Sequence, residues 1–334
     1  MKNIISYLRI KEWLDSKVTF MMGVLLFFYF CDGTRFEAIT VSKIVAYFLY
    51  VSMFLAISYV ANDFSDMEID KKAGKEKIIA HMPRWGIWCT FILMAAVGNV
   101  PVLLFADDKR ICAVMIITTY LLGLAYSIPG IRFKERGLWG LIECSFAQRC
   151  MPLLMIFALI KLEGPLATLL AGWSILSFID GLRYIIIHQV NDLENDVATG
   201  VHTYVAEKKG NYRKILLLLL GTEIIVTGIL LAPLWKKEAI LTVLFVLLNA
   251  GLEYCIYAVI QKFAAKDIML TYDSVPMEAF YNTLFPVLSG LCMVLLDIRW
   301  AVILIWIILT SVTSFMVKCR IAAVYIQSKM KTGR

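Results

Sequence analysis

The sequence predicts an all-α, polytopic transmembrane helical bundle of nine or ten helices, and three observations carry that prediction. Of its 334 residues, 60% are hydrophobic and 18% charged, whereas soluble domains run at roughly 45–50% apolar and about 25% charged. Mean hydropathy is +0.76. The apolar residues fall in long blocks rather than amphipathic stripes, as helices surrounded by lipid require. Secreted, fibrous and disordered classes are excluded, and an ordinary cytosolic enzyme nearly so. The eight cysteines include no CxxC pair and lie mostly in apolar stretches. They read as small buried hydrophobes, neither a disulfide frame nor a zinc site.

A bilayer core takes roughly 20 mostly apolar residues per helix. The first span, 14–31, is the weakest, since its uncharged part runs only from Val18 to Cys31. The second, 43–61, leads into an acidic segment. The third and fourth, 85–106 and 111–129, contain no charged residue. The fifth and sixth, 138–160 and 166–190, carry Glu143, Arg149, Asp180 and Arg183 at membrane depth, where ionisable groups are functional candidates by default. The seventh and eighth, 214–235 and 239–260, hold Glu223 and Glu253, read mainly as structural. Spans 279–296 and 300–318 complete the set, the last as an extension. We expect one integral membrane domain over 1–334, with no cleaved signal peptide, because no cleavage site follows the first apolar run.

The charge balance, 33 Lys and Arg against 26 Asp and Glu, is better explained by topology than by nucleic acid. In alternate connections, 23 of these cations fall on one side and eight on the other. Both termini and the long loops 62–84, 191–213 and 261–278 should therefore be cytoplasmic. The opposite loops are short apart from 32–42, so any chemistry belongs to the cytoplasmic face.

Two acidic motifs stand at matching places on that face. The second span runs into Asn62-Asp63-Phe64-Ser65-Asp66-Met67-Glu68-Ile69-Asp70, and a continued helix would stack Asn62, Asp66 and Asp70 on one side. The sixth runs into His188-Gln189-Val190-Asn191-Asp192-Leu193-Glu194-Asn195-Asp196, with His188, Asp192 and Asp196 at the same spacing. Like charges at i, i+4 oppose one another unless a cation intervenes. Mg²⁺ takes octahedral oxygen ligands, often one or two carboxylates plus substrate phosphates, so two such clusters among Lys and Arg suit a bridged diphosphate. The string NDxxDxxxD arises by chance in roughly two chains per thousand at ~5% per residue. The bland alternative is a solvated acidic loop balancing the lysines.

Asn62-Asp63, Asp66 and Asp70 resemble the first aspartate-rich motif of the UbiA superfamily of membrane prenyltransferases. Asp192 and Asp196, followed by Gly200, resemble the second. Ala125-Tyr126-Ser127, Pro129 and Arg132-Phe133-Lys134 resemble a third stretch. The resemblance runs in order from about Arg9 to the ninth span. It implies a bundle around a central cavity, and Mg²⁺-dependent transfer of an isoprenyl group from its diphosphate to a lipophilic or aromatic acceptor. Two departures stand out. Lys71 and its neighbours replace the Arg-Pro pair that often closes the first motif, and a tenth span exceeds the family's nine.

On this reading Asn62, Asp66 and Asp70 hold one Mg²⁺ and Asp192 and Asp196 a second, stabilising the leaving diphosphate. Lys71, Lys75, Lys77, Arg132, Lys134 and Arg136 are candidates for phosphate charge, although each also serves the topology signal. Tyr126, Arg149, Arg183, Tyr184 and His188 are further substrate-binding candidates. Asp180, Tyr184, His188, Asp192 and Asp196 form one i+4 stripe. Tyr47, Tyr50, Phe54, Tyr59, Phe146 and Phe178 could offer π faces to a prenyl cation, with plain packing the commoner role. No obligate protein partner is expected. The rivals are a terpene cyclase, a transferase of sugar phosphate to polyprenyl phosphate, and an ion-coupled transporter, the last disfavoured for want of an inverted repeat. A CDP-alcohol transferase is disfavoured because Asp180-Gly181-Leu182-Arg183 breaks the DGxxAR run it needs.

Overall fold

The computed structural model describes residues 2–72, 74, 77–200, 202–208, 210, 212–263 and 276–312, with single positions at 316, 319 and 323. All regular structure among them is helical. Ten helical rods occur at the ten predicted positions: α1 (Leu14–Asp32), α2 (Ala38–Ser65), α3 (Arg84–Phe105), α4 (Lys109–Ala125), α5 (Leu138–Ile160), α6 (Gly164–Thr199), α7 (Tyr212–Leu230), α8 (Ala239–Phe263), α9 (Phe280–Leu296) and α10 (Ile298–Val312). Six are long and apolar enough to cross a membrane. Among the described residues the helices number about fourteen rather than nine or ten. That number counts rods α1–α9, with α5 divided in two, and four short helices at rod ends (Lys2–Tyr7, Met67–Lys72, Tyr204–Glu207 and Ala232–Lys237).

Three rods contain a wide π-helical turn: Leu14–Val18, Phe146–Cys150 and Phe280–Leu284. Two of these have a proline behind them. Pro152 and Pro286 cannot donate to the carbonyls four residues back, so the ladder opens there. Next to the first of these openings Ser177 Oγ donates to the Arg149 carbonyl at 3.2 Å. Such turns recur at functional sites.

Lipid gives helices no hydrophobic reason to associate, so close packing and buried hydrogen bonds must hold the bundle. The centre is aromatic: Phe20 and Phe27 of α1, Trp173 of α6, and Tyr281 and Phe285 of α9. Trp173 stacks on Phe285 at 4.6 Å between centroids, and Phe20 meets Tyr281 edge-on at 5.4 Å. Glycine lets the rods close up. A Cβ on Gly23 would lie 2.8 Å from Pro286 Cα, and one on Gly98 equally close to Met53 Cβ. By contrast α3 and α8 turn mostly exposed apolar faces outward, including Trp85, Trp88, Ile92, Ile240 and Leu247. These are the faces expected to meet lipid, with the tryptophans near one end of α3 as an interfacial belt would have them. Lys17 of α1 meets Tyr59 of α2 and Gln148 of α5, near the end of α2 that leads into the first acidic motif.

Candidate active site

The first acidic motif does not continue as one helix. Rod α2 stops at Ser65, Asp66 caps it with φ −94° and ψ 0°, and a separate short helix starts at Met67. Asn62, Asp66 and Asp70 are therefore not stacked along a single rod, contrary to the sequence expectation. A carboxylate at the negative end of a helix is unfavourable, and the Asp66 side chain is instead drawn to two loop cations. Lys134 Nζ bonds Asp66 Oδ2 at 2.6 Å and also contacts Oδ1, while Arg132 Nη2 reaches Oδ1 at 3.0 Å. Lys134 Nζ also donates to Asn62 Oδ1 at 3.1 Å, which accepts from Ser127 Oγ at the same distance. Two oxygen-bearing side chains of the motif thus converge on one cationic point. Burial lowers the Lys134 pKa from the ordinary lysine value, and the Asp66 carboxylate opposes that shift.

The loop after α4 makes this convergence. Arg132 adopts the left-handed conformation, φ 44°, a costly one for a side chain this large. Its amide donates to the Ile128 carbonyl at 3.0 Å, and the next turn brings the Lys134 amide to the Tyr126 carbonyl at 3.2 Å. Tyr126 therefore contributes its backbone. Arg132 is braced by Glu135 at 2.5 Å, and Arg136 bonds the Gly130 carbonyl at 3.0 Å. Asp63 points elsewhere, accepting from Arg9 at 3.1 Å and Lys77 at 2.7 Å. Lys77 is thus placed on Asp63, not beside Asp66. Lys71 is exposed. The Asp70 side chain and Lys75 lie outside the described residues, as do most of loop 261–278 and the C-terminal cations.

The second motif behaves as read. Rod α6 runs unbroken to Thr199 and ends at Gly200 with φ 71°, the left-handed stop that glycine supplies at no steric cost. His188 Nδ1 lies 2.8 Å from Asp192 Oδ2, both about half exposed. Asp196 accepts from Thr203 Oγ1 at 3.1 Å. Desolvation raises the Asp196 pKa, Thr203 opposes that, and the Asp192 charge adds to it. Thr203 also pairs with Gly137, whose amide donates to the His202 carbonyl at 3.3 Å. This backbone pairing ties the loop carrying the cations to the segment after α6, whose Thr203 bonds Asp196. Gly137 stands at φ 51°, and a Cβ there would collide with the Glu207 carboxylate.

Deeper lies a buried ionic network. Arg183 is fully buried and doubly bonded to Glu223, at 2.6 and 2.8 Å, and lies 3.5 Å from Asp180. Arg149 reaches Asp180 at 3.2 Å and stacks over the Tyr184 ring at 5.5 Å. Arg183 thus joins α6 to α7, and the Nη1 atoms of Arg183 and Arg149 are both buried without a hydrogen-bond acceptor. Glu253 accepts from the Met277 amide at 3.0 Å. Tyr47, Tyr50 and Phe54 are packing residues, committed to the Pro152 carbonyl, Thr119 and Tyr120 respectively. Phe146 and Phe178 meet edge-on at 6.4 Å. Sequence reading missed Lys17, counted there only as a flanking charge. It is buried, donating to Tyr59 OH at 3.1 Å and to Gln148 Oε1. A signal existed: the uncharged run 18–31 is too short to span a bilayer, so α1 had to recruit Lys17.

Among the described residues no three His, Cys, Asp or Glu side chains form a ready metal cage. The donor chemistry nevertheless fits Mg²⁺. Asn62 and Asp66 offer hard oxygens that already converge on a cation, and such sites keep positions for water and phosphate.

A helical membrane bundle with acid-bearing ends on α2 and α6, tied loop to loop beneath two cations, defines an integral membrane enzyme. The UbiA prenyltransferase family model matches residues 20–284, and the chain belongs to that family. It is therefore a transferase, and the transporter reading falls away. A solved digeranylgeranylglyceryl phosphate synthase shares the fold, with TM-score 0.51 and 15% identity over 94% of this chain and 100% of that one. A UbiA homologue from Archaeoglobus fulgidus bound to DMAPP and Mg²⁺ is similar at TM-score 0.48 and 13% identity, over 96% and 99% of the two chains. The GPP and Mg²⁺ complex of a UbiA homologue from that organism gives 0.49 and 14%, over 97% and 98%. No curated protein sequence matches the chain.

Proposed function

We propose that the chain is a Mg²⁺-dependent prenyltransferase that moves an isoprenyl group from an allylic diphosphate to a lipophilic, aromatic acceptor. The observation that carries this reading is the convergence of Asn62 and Asp66 on the Lys134 ammonium, within a loop bonded to the second acidic motif. Mg²⁺ held by Asn62, Asp66 and Asp70, and by Asp192 and Asp196, would supply Lewis-acid stabilisation of the departing diphosphate. Lys134 and Arg132 bind phosphate oxygens from the loop side, with Lys71, Lys75 and Lys77 as further candidates to offset phosphate charge. Tyr126 anchors the loop through its carbonyl. Tyr59, Tyr184 and Phe178 present π faces that steady cationic charge and exclude water. His188, held at Nδ1 by Asp192, is placed to take the acceptor's proton. Arg149 and Tyr184 face the acceptor. Arg183, expected among the substrate contacts, is assigned instead to holding α6 and α7 through Glu223.

The enzyme works as a single domain in the bilayer, with both termini and the motif loops cytoplasmic and no obligate protein partner. The test is pyrophosphate release from farnesyl or geranylgeranyl diphosphate by detergent-purified protein, with products read by mass spectrometry. We expect release that chelation abolishes, reduced about a hundredfold or more in Asp66→Asn and in Asp192→Asn. A hydrocarbon or terpene alcohol formed without acceptor would assign the chain to cyclisation instead. No release under any acceptor would overturn the proposal.

A further inference from the structure

The last turn of α2 and its cap carry two acids, Asp63 and Asp66, at the negative end of the helix, where a carboxylate is opposed. Each is met by two cations, and the two pairs come from different segments. Arg132 and Lys134 of the loop after α4 hold Asp66, while Arg9 Nη1 at 3.1 Å and Lys77 Nζ at 2.7 Å both bond Asp63 Oδ1. The second pair is no loose surface contact. Asp63 is buried. One turn before it, Val60 joins Ile79 and Ile87 in a small apolar cluster onto which Tyr7 and Leu8 pack. Water and salt therefore screen these ion pairs less than exposed ones.

Arg9 is itself built into place. It adopts the left-handed conformation, φ 51°, a strained one for so large a side chain. The surrounding turn is closed by the Arg9 amide on the Ser6 carbonyl at 3.2 Å and by Trp13 Nε1 on the Leu8 carbonyl at 2.8 Å. Glu12 orients the guanidinium through Nε at 2.7 Å, and the same group lies 4.8 Å from the Tyr59 ring. Arg9 therefore spans Tyr59 and Asp63, neighbours one turn apart on α2. Asp63 adjoins Asn62 in the chain but lies about a quarter turn round the rod from it. Its cations are thus not those on which Asn62 and Asp66 converge. When a diphosphate draws Arg132 and Lys134 to itself, the pair on Asp63 still holds this end of the rod.

We infer that Arg9, Asp63 and Lys77 form a positioning clasp for the metal-binding end of α2. By fixing Asp63 they keep Asn62 and Asp66 aimed at one point, which makes the segment before α1 part of the site. This rests on the prenyltransferase reading above. Arg9 acts through Asp63 rather than on the substrate. The test is Mn²⁺ binding, read by electron paramagnetic resonance on the detergent-purified full chain with geranylgeranyl S-thiolodiphosphate, whose prenyl–sulfur bond resists ionisation. Arg9→Met removes a cation from beside the site, so charge alone would tighten the hold on a divalent cation, whereas loss of aim weakens it. We expect weakening by about tenfold or more, the usual effect of removing a group that orients metal ligands, with most of the loss recovered in Arg9→Lys. A thermal melt reports folding, and Arg9→Gln, which keeps a shorter stem over Tyr59, is the second variant should Arg9→Met not fold. Mn²⁺ binding unchanged or tighter in a folded Arg9 variant, even one that melts earlier, would overturn the clasp and leave prenyl transfer standing. Arg9-dependent Mn²⁺ binding without pyrophosphate release from any donor would instead sink prenyl transfer and keep the clasp.

Discussion

At the scale of single residues, the site depends on which cation each carboxylate meets. Asp66 takes two, Asp63 takes a different two, and Asp196 takes a hydroxyl. Lys134→Met should therefore raise KM for the prenyl diphosphate about tenfold or more, since one charged phosphate contact is worth roughly 1.5–3 kcal/mol. The fold should survive, because Arg132 still covers Asp66; steady-state kinetics beside a thermal melt checks both. Ser127→Ala removes only the bond that orients Asn62, and a loss of about 1 kcal/mol, a few-fold in kcat/KM, is expected. The aspartates were readable in the sequence because acids at a membrane boundary demand an explanation. The partner of each was not, since Asp66 and Lys134 are brought together by a loop far along the chain.

At the scale of elements, two joints hold the motif-bearing pieces together. The first is the buried Arg183–Glu223 pair between α6 and α7. Arg183→Met alone should destabilise the protein by about 3–5 kcal/mol, because it strands a buried carboxylate. The double variant with Glu223→Met should recover most of that loss, and melting curves in one detergent would show whether it does. The second joint is the Gly137–Thr203 pairing. Gly137→Ala puts a side chain at a φ of 51°, and should cost roughly 1–3 kcal/mol even after the Glu207 carboxylate swings aside. A melt unaffected by that change would mean the two loops do not depend on each other. The break after Ser65 escaped sequence reading because periodicity across Asn62, Asp66 and Asp70 fits a straight helix. Only the pull of Arg132 and Lys134 on Asp66 shows why the rod ends there.

At the scale of the molecule, the asymmetry of Lys and Arg implies one orientation. A fluorescent-protein fusion at the C-terminus should light up and a periplasmic alkaline phosphatase fusion there should stay inactive when the chain is expressed in a bacterium. The reverse pattern would overturn the cytoplasmic assignment of the motif loops. The ten rods were legible from apolar run length, six of them long and apolar enough to cross a membrane, since lipid leaves a spanning segment no other means of satisfying its backbone. The short helices at rod ends were not, because nothing in their composition separates them from loop.

The sequence by itself determined that the chain is a helical membrane protein, where its rods lie, and which two of them end in acids. Those properties are local, set by the solvent each segment meets and by residues a turn apart. The tertiary structure alone decided that Lys17 is buried, that Arg183 pairs with Glu223 and Arg149 with Asp180, and that Lys134 closes on Asn62 and Asp66. Such pairings join residues dozens of positions apart. They are selected by which rods pack together and by the need of each buried charge for a partner, and no run of residues records that.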